Sequence, residues 1–222
     1  MSLSHWETFR LKIRQAARVL ELEELDRYKV DFIDERGFFE FMHDMENSSI
    51  YKNMALKRRS GNGHYPAFID MIGYFSEASA SFFEFYTSLM KGDRLQIRII
   101  SHRLNPGGEN RDMSSLLYLR RLQEMNIKIR APAKGARRVH SRLLVYYLKE
   151  DEKILPFEGR LVMGSFDFNK EGLGRGERRD AGIRTQNPDL VESAVEHFNS
   201  IWNNLHYTQT LDDRYPPPRA QP

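Results

Sequence analysis

Between Ala67 and Pro132 the chain alternates short apolar runs of strand character with segments of helical spacing, and this alternation restricts the fold more than any other feature. "AFIDMIGYF" (67–75) reads as a buried strand, and residues 77–91 read as a helix carrying Phe82, Phe83, Phe85, Tyr86 and Leu89. "LQIRIIS" (95–101) alternates as a strand does, residues 113–124 space Leu116, Leu117, Leu119 and Leu122 as a helix, and "IKIRAP" (127–132) returns to strand. Strand, helix, strand, helix, strand calls for right-handed crossovers and parallel neighbours. Three more strands are expected at 139–148, 160–165 and 181–185, the first two joined into a hairpin by the charged "KEDEK". Asn187 as N-cap and Pro188 at the first helical position then open a closing helix with Leu190, Ala194, Phe198, Ile201 and Trp202 on one face. The expected class is α/β, a mixed and largely parallel sheet flanked by helices, with an N-terminal helical extension.

That extension is expected over 1–60. Ser4 and Glu7 form a capping box, Trp6, Phe9, Ile13, Ala17 and Leu20 line one face of a helix over 4–26, and a less regular helical region follows over 36–58. The cluster "SGNGHYP" marks the boundary to a domain over 61–207, and a stiff, frayed proline-rich tail is expected over 208–222. The aromatic string Phe82 to Tyr86 has the spacing of a core face rather than of a base-stacking platform.

Composition excludes several chemistries. The 222 residues contain no cysteine, which removes disulfides, thiol catalysis and cysteine-based zinc sites and fits a reducing, cytoplasmic setting. No apolar run approaches the ~20 residues of a membrane helix, and no signal peptide opens the chain, so no membrane partner is expected. His43-Asp44 lacks a companion histidine at ligand spacing, and no metal site is expected. "GLGRGERR" (172–179) does not follow a strand and open a helix, so it reads as a rim loop rather than a dinucleotide site. The net charge of +3 is modest, yet it is clustered. Lys57, Arg58 and Arg59, then Lys134, Arg137 and Arg138, then Arg175, Arg178 and Arg179 form basic groups suited to a polyanion.

Two segments carry the chemistry. In "VHSRLLVYY" (139–147), strand alternation puts His140, Arg142 and Leu144 on one face. A guanidinium cannot shed its charge and is rarely buried unpaired, so the imidazole and the cation make sense with an anion between them. Arginine grips phosphate oxygens through paired charge-assisted bonds, while an imidazole can attack or move a proton. In "GSFDFN" (164–169), Gly164 allows close backbone approach, Ser165 adds a hydroxyl donor, and Asp167 and Asn169 share its side if the strand continues. Asp180 opens the next strand, placed to orient an imidazole nitrogen.

"His-Ser-Arg", "Gly-Ser-Phe-Asp-Phe-Asn" and "Arg-Arg-Asp-Ala-Gly-Ile", in that order, resemble the phospholipase D superfamily, whose signature is His-x-Lys, a following Asp, Gly-Ser-x-Asn and a distal acid. The likeness runs from about residue 67 to 204 and is similar to one half of that fold, including a closing helix with Phe-x-x-x-Trp. The sequence departs from the signature in three places: Arg142 stands for the lysine, Tyr147 for the first acid, and Asp167 for the asparagine unless Asn169 takes that role. Asp180 matches the distal acid across a slightly longer loop.

The resemblance implies a metal-independent, cofactor-free phosphodiesterase working through a phosphohistidine. One histidine attacks phosphorus, a second protonates the leaving oxygen, and cations with Ser and Asn donors stabilise the non-bridging oxygens. Only one motif is visible here, so the resemblance implies a homodimer with a composite site built from two copies of His140. The basic clusters point to nucleic acid as substrate, DNA in preference to RNA, over phospholipid. The alternatives are a nucleic-acid-binding module with a weakened site of the same fold, or a phospholipid phosphodiesterase.

Overall fold

The computed structural model of the chain describes residues 29–34, 36–38, 40–41, 67–89, 95–101, 110–136, 141–150, 153–168 and 180–216. Among the described residues one sheet contains eight strands. They are β1 (Val30–Asp34), β2 (Ala67–Gly73), β3 (Leu95–Ser101), β4 (Lys128–Pro132), β5 (Leu143–Glu150), β6 (Lys153–Gly164), β7 (Ala181–Thr185) and β8 (Thr208–Thr210), in the spatial order β1-β7-β6-β5-β2-β3-β4-β8. Helices among the described residues include α1 (Ala80–Leu89), α2 (Asn110–Glu124), α3 (Pro188–Trp202) and the short α4 (Leu211–Arg214). No helix among the described residues is long and apolar enough to cross a membrane.

The long apolar runs of β2, β3 and β5 follow from burial on both faces. On one side Ile69, Met71, Ile97, Ile99, Leu144 and Tyr146 pack with Phe82, Phe83 and Tyr86 of α1 and Leu119 and Leu122 of α2. On the other side Ile72, Ile100, Leu143, Val145 and Leu161 pack under Val191, Val195, Phe198 and Ile201 of α3. Full burial of an aromatic or branched side chain of this size contributes about 1.5–3 kcal/mol. The expected core role of Phe82, Phe83 and Tyr86 therefore holds, all three being buried. The start of α3 is also as expected: the Asn187 side chain accepts from the N–H groups of Asp189 at 3.0 Å and Leu190 at 3.3 Å, and Pro188 opens the helix.

A buried polar network fastens α3 to the sheet. Arg98 donates from Nε and Nη2 to the two carboxylate oxygens of Asp70 at 2.7 and 2.6 Å. Its Nη2 also reaches Tyr147 Oη at 3.0 Å and Asn199 Oδ1 at 2.9 Å, and Tyr147 donates to Asp70 at 2.8 Å. The guanidinium lies 4.8 Å from the Phe198 ring centre and 5.5 Å from that of Trp202. The aromatic pair of the closing helix is thus a platform for a cation.

The structure corrects the expected sheet and its limits. Among the described strands, parallel pairing joins β2, β3 and β4, which are linked through the crossover helices α1 and α2, and one isolated parallel bridge joins Phe75 to Phe168. The pairs β1–β7, β7–β6, β6–β5, β5–β2 and β4–β8 are all antiparallel, so the sheet is mixed but mostly antiparallel. The hairpin of β5 and β6 forms as expected, closing with Glu150 opposite Lys153. Two boundaries move. Residues 30–34, expected in a helical extension, supply the edge strand β1 opposite β7, and Phe38 and Phe41 just beyond it are buried in the core. Past residue 207 the chain continues as β8 along β4, then buries Leu211 and Tyr215, so this part of the expected tail belongs to the fold. The helix expected over 4–26 lies outside the described residues.

Candidate active site

Antiparallel pairing brings the start of β5, the end of β6, the start of β7 and the end of β2 to the same end of the sheet. Leu143 faces both Ile72 and Met163, and Gly164 faces Gly182. Four sequence-expected residues, Arg142, Ser165, Asp167 and Asp180, sit at this end. His140 and Asn169 lie outside the described residues, as do Lys57, Arg58, Arg59, Arg137, Arg138, Arg175, Arg178 and Arg179. Lys134 is exposed in the turn after β4, beside Gly135 with φ of 80°.

Arg142 precedes β5 and donates from Nε to Asp167 Oδ1 at 2.8 Å. The same oxygen accepts the backbone N–H of Tyr74 at 3.1 Å. The backbone around Asp167 is pinned to the segment after β2: Phe168 N–H donates to Tyr74 O at 2.8 Å, Ser76 N–H to Phe168 O at 3.1 Å, and the Phe75 and Phe168 rings stack at 4.7 Å. The cation at 142 is therefore half-buried against a buried carboxylate, which satisfies the pairing that burial demands. A guanidinium held by its Nε edge carries its remaining N–H donors on the two Nη groups, the pair that grips phosphate.

Ser165 turns to a second acid. Its Oγ donates to Asp180 Oδ1 at 2.8 Å and accepts the Ala181 N–H at 3.1 Å, while its own N–H donates to Ala181 O at 3.0 Å. The expectation that Ser165 and Asp167 share one side of a continuing strand fails because β6 ends at Gly164. Beyond it the chain bends, so Ser165 meets the start of β7 and Asp167 meets Arg142 and Tyr74. Gly164 also serves the packing of the sheet. A Cβ there would lie 2.5 Å from Ala181 O and 2.6 Å from Gly182 Cα, so the close approach it permits is that of β7. Tyr147 is fully buried in the network with Asp70 and Arg98.

Sequence reasoning missed His197. This exposed residue of α3 places Nε2 2.8 Å from Ser141 Oγ, and it lines a cleft of about 490 Å³ together with Ser141, Arg142 and Gly164. Leu143, Met163, Ile183 and Phe32 form the apolar floor of that cleft, in register across β5, β6, β7 and β1. Among the described residues no cluster of three or more His, Asp or Glu side chains is arranged to hold a metal ion.

No family model and no curated protein matches the sequence. Solved structures do. Phosphatidylserine synthase from Haemophilus influenzae aligns with 86% of this chain and 40% of its own, at 12% identity and a TM-score of 0.58. Polyphosphate kinase from Porphyromonas gingivalis aligns with 82% of this chain and 27% of its own, at 16% identity and a TM-score of 0.51. Nuc from Salmonella typhimurium, a phospholipase D family member, aligns with 79% of this chain and 94% of its own, at 14% identity and a TM-score of 0.45. This chain thus spans less than half the length of the synthase or the kinase. The fold is similar to the matched parts of the synthase and the kinase.

Proposed function

We propose that the chain is a metal-independent phosphodiesterase acting on nucleic acid, DNA in preference to RNA. An imidazole nitrogen of His140 forms a bond to phosphorus as the P–O bond to the leaving alkoxide breaks. A second imidazole, His140 of another copy in a homodimer, gives that alkoxide a proton. The second imidazole then takes a proton from water as that water attacks phosphorus, the N–P bond breaks and both imidazoles return to their starting state. Arg142 donates to the non-bridging oxygens from its Nη groups while Asp167 holds its Nε edge, and Ser165 turns its single hydroxyl proton from Asp180 to the phosphate when substrate binds.

One observation carries this reading. The residue two past His140, the Gly-Ser corner and the distal acid, remote from each other in sequence, come to a single end of a phospholipase D-type sheet as two carboxylate-anchored donors. The choice of nucleic acid rests on the basic clusters of the sequence, whose contribution to phosphate-backbone binding falls steeply with salt. Incubation with single- and double-stranded DNA and RNA in EDTA tests it. Cleavage that survives chelation and disappears in His140→Ala supports the enzyme, and sedimentation as twice the 26.2 kDa chain supports the composite site. Phospholipid vesicles belong in the same assay because a phosphatidylserine synthase shares the fold.

A second reading, a nucleic-acid-binding module with a weakened site, is favoured by one specific feature. Arg142 Nε and Ser165 Oγ already donate to carboxylates of the chain itself. A salt-dependent mobility shift without cleavage decides for this module.

A further inference from the structure

The residue between His140 and Arg142 in the sequence is Ser141, and its side chain is tied to a different layer from that of Arg142. Arg142 reaches Asp167, whereas Ser141 Oγ meets His197 Nε2 of α3 at 2.8 Å. Ser141 and Arg142 are therefore held from two sides. The support on the helix side is rigid: Val195, Phe198 and Ile201 bury the inner face of α3, and Asn199 accepts from Arg98 at 2.9 Å. His197 itself stands on the outer face and lines the cleft that Arg142 and Gly164 also line. An exposed histidine adds nothing to the core, and a single hydrogen bond between exposed groups contributes little to stability. Its position on a helix that touches the middle of the motif needs another account.

We propose that His197 is a positioning residue of the phosphoryl site. By holding Ser141 it fixes the residue that stands in the sequence between the proposed nucleophile and the phosphate-gripping cation. The inference rests on the reading of this end of the sheet as a phosphoryl site. It adds that α3, beyond covering the sheet, is part of the site's support. Displacement of a reacting group by an ångström costs catalysis far more than stability, so the contact should register in turnover while folding is unchanged.

The test uses the full chain in four variants: His197→Ala, His197→Gln, Ser141→Ala and the double His197→Ala/Ser141→Ala. On a cleaved oligonucleotide, either alanine variant should lower kcat about tenfold with KM within about twofold of the parent. The double variant should fall no further than the singles, because both remove the same contact. His197→Gln, whose amide nitrogen reaches the place of Nε2, should recover most of the rate. Unchanged kcat in His197→Ala, or additive losses in the double variant, overturns the proposal while leaving the phosphodiesterase reading intact. Should the parent chain cleave nothing, that reading fails and inorganic phosphate decides the inference instead. Phosphate should then shift the imidazole nitrogen resonances of His197 in the parent and leave them in place in Ser141→Ala. Resonances unmoved by phosphate in the parent overturn it.

Discussion

Arg142 and Asp167 form an ion pair at 2.8 Å whose side chains retain 24% and 10% of their exposure, and it joins the start of β5 to the bend after β6. Removing the acid leaves a half-buried cation with its Nε donor unmet and strands the Tyr74 N–H as well. Asp167→Ala should therefore cost about 1–3 kcal/mol in a urea titration. Asp167→Asn keeps an oxygen able to accept from both donors, and should cost about 1 kcal/mol or less. If the two variants unfold at the same denaturant concentration, the shared oxygen is not what holds the segment.

Ser165 sits between Asp180 Oδ1 and the Ala181 N–H, giving to one and receiving from the other. Alanine at 165 removes both bonds while the backbone bond to Ala181 O remains, so the β6–β7 junction should persist. The expected stability loss is about 1 kcal/mol, whereas phosphodiester turnover should fall by about tenfold or more if this hydroxyl faces the developing charge. Parallel measurements of melting and cleavage on Ser165→Ala separate the two effects. Equal turnover in parent and variant would remove Ser165 from the site.

The parts of the fold legible in the sequence are those whose cause is local. Strands covered on both faces produce apolar runs, and "AFIDMIG" and "LQIRIIS" are long enough to identify themselves. Asn187 and Pro188 announce α3 by capping chemistry that needs no neighbour. What stayed hidden depends on distant partners. β1 becomes a strand because Val30 meets Thr185, and β8 because Thr208 meets Pro132. Neither five nor three residues carry enough pattern to declare an edge strand without its mate. The site divides in the same way. Residue types alone nominated Arg142, Ser165, Asp167 and Asp180. Which donor meets which acid depended on β6 stopping at Gly164, a backbone event set by the contact with Gly182. His197 carried no signal at all, because on an amphipathic helix it reads as one more solvent-facing residue.

The Asp70–Arg98 pair is a separate test of how α3 is held. Asp70 is fully buried and Arg98 nearly so, with side-chain exposures of 0% and 15%. Burial alone would lower the affinity of Arg98 for its proton, but its bonds to Asp70 outweigh this and hold the guanidinium above its ordinary range. Asp70→Ala should then cost about 3–5 kcal/mol, since it abandons a charge beneath the helix. Adding Arg98→Met should restore much of that loss, because an apolar side chain of similar length carries no charge to strand. Chemical denaturation of the single and double variants measures both. A double variant as unstable as Asp70→Ala would show that lost packing against Phe198 and Trp202, rather than charge, sets the cost.

Tyr118 of α2 is 6% exposed, with its hydroxyl 3.3 Å from Ser79 Oγ, and burial pushes its phenol from 10.0 up to about 12. Below pH 10 the folded and unfolded chains both keep this proton, and its contribution to stability is fully present. Between pH 10 and about 12 the unfolded chain releases the proton while the folded chain retains it, so stability falls as pH rises through this window. The full effect is at most about 2–3 kcal/mol for a shift of this size. Tyr147 is raised in the same direction by burial, so the parent chain's alkaline loss contains both tyrosines. Tyr118→Phe isolates one of them: it has no proton to release and should lose less stability than the parent between pH 9 and pH 11.5. Urea midpoints of the two proteins at those two pH values give the difference directly. Parallel losses would mean that the Tyr118 hydroxyl titrates alike in the folded and unfolded chains.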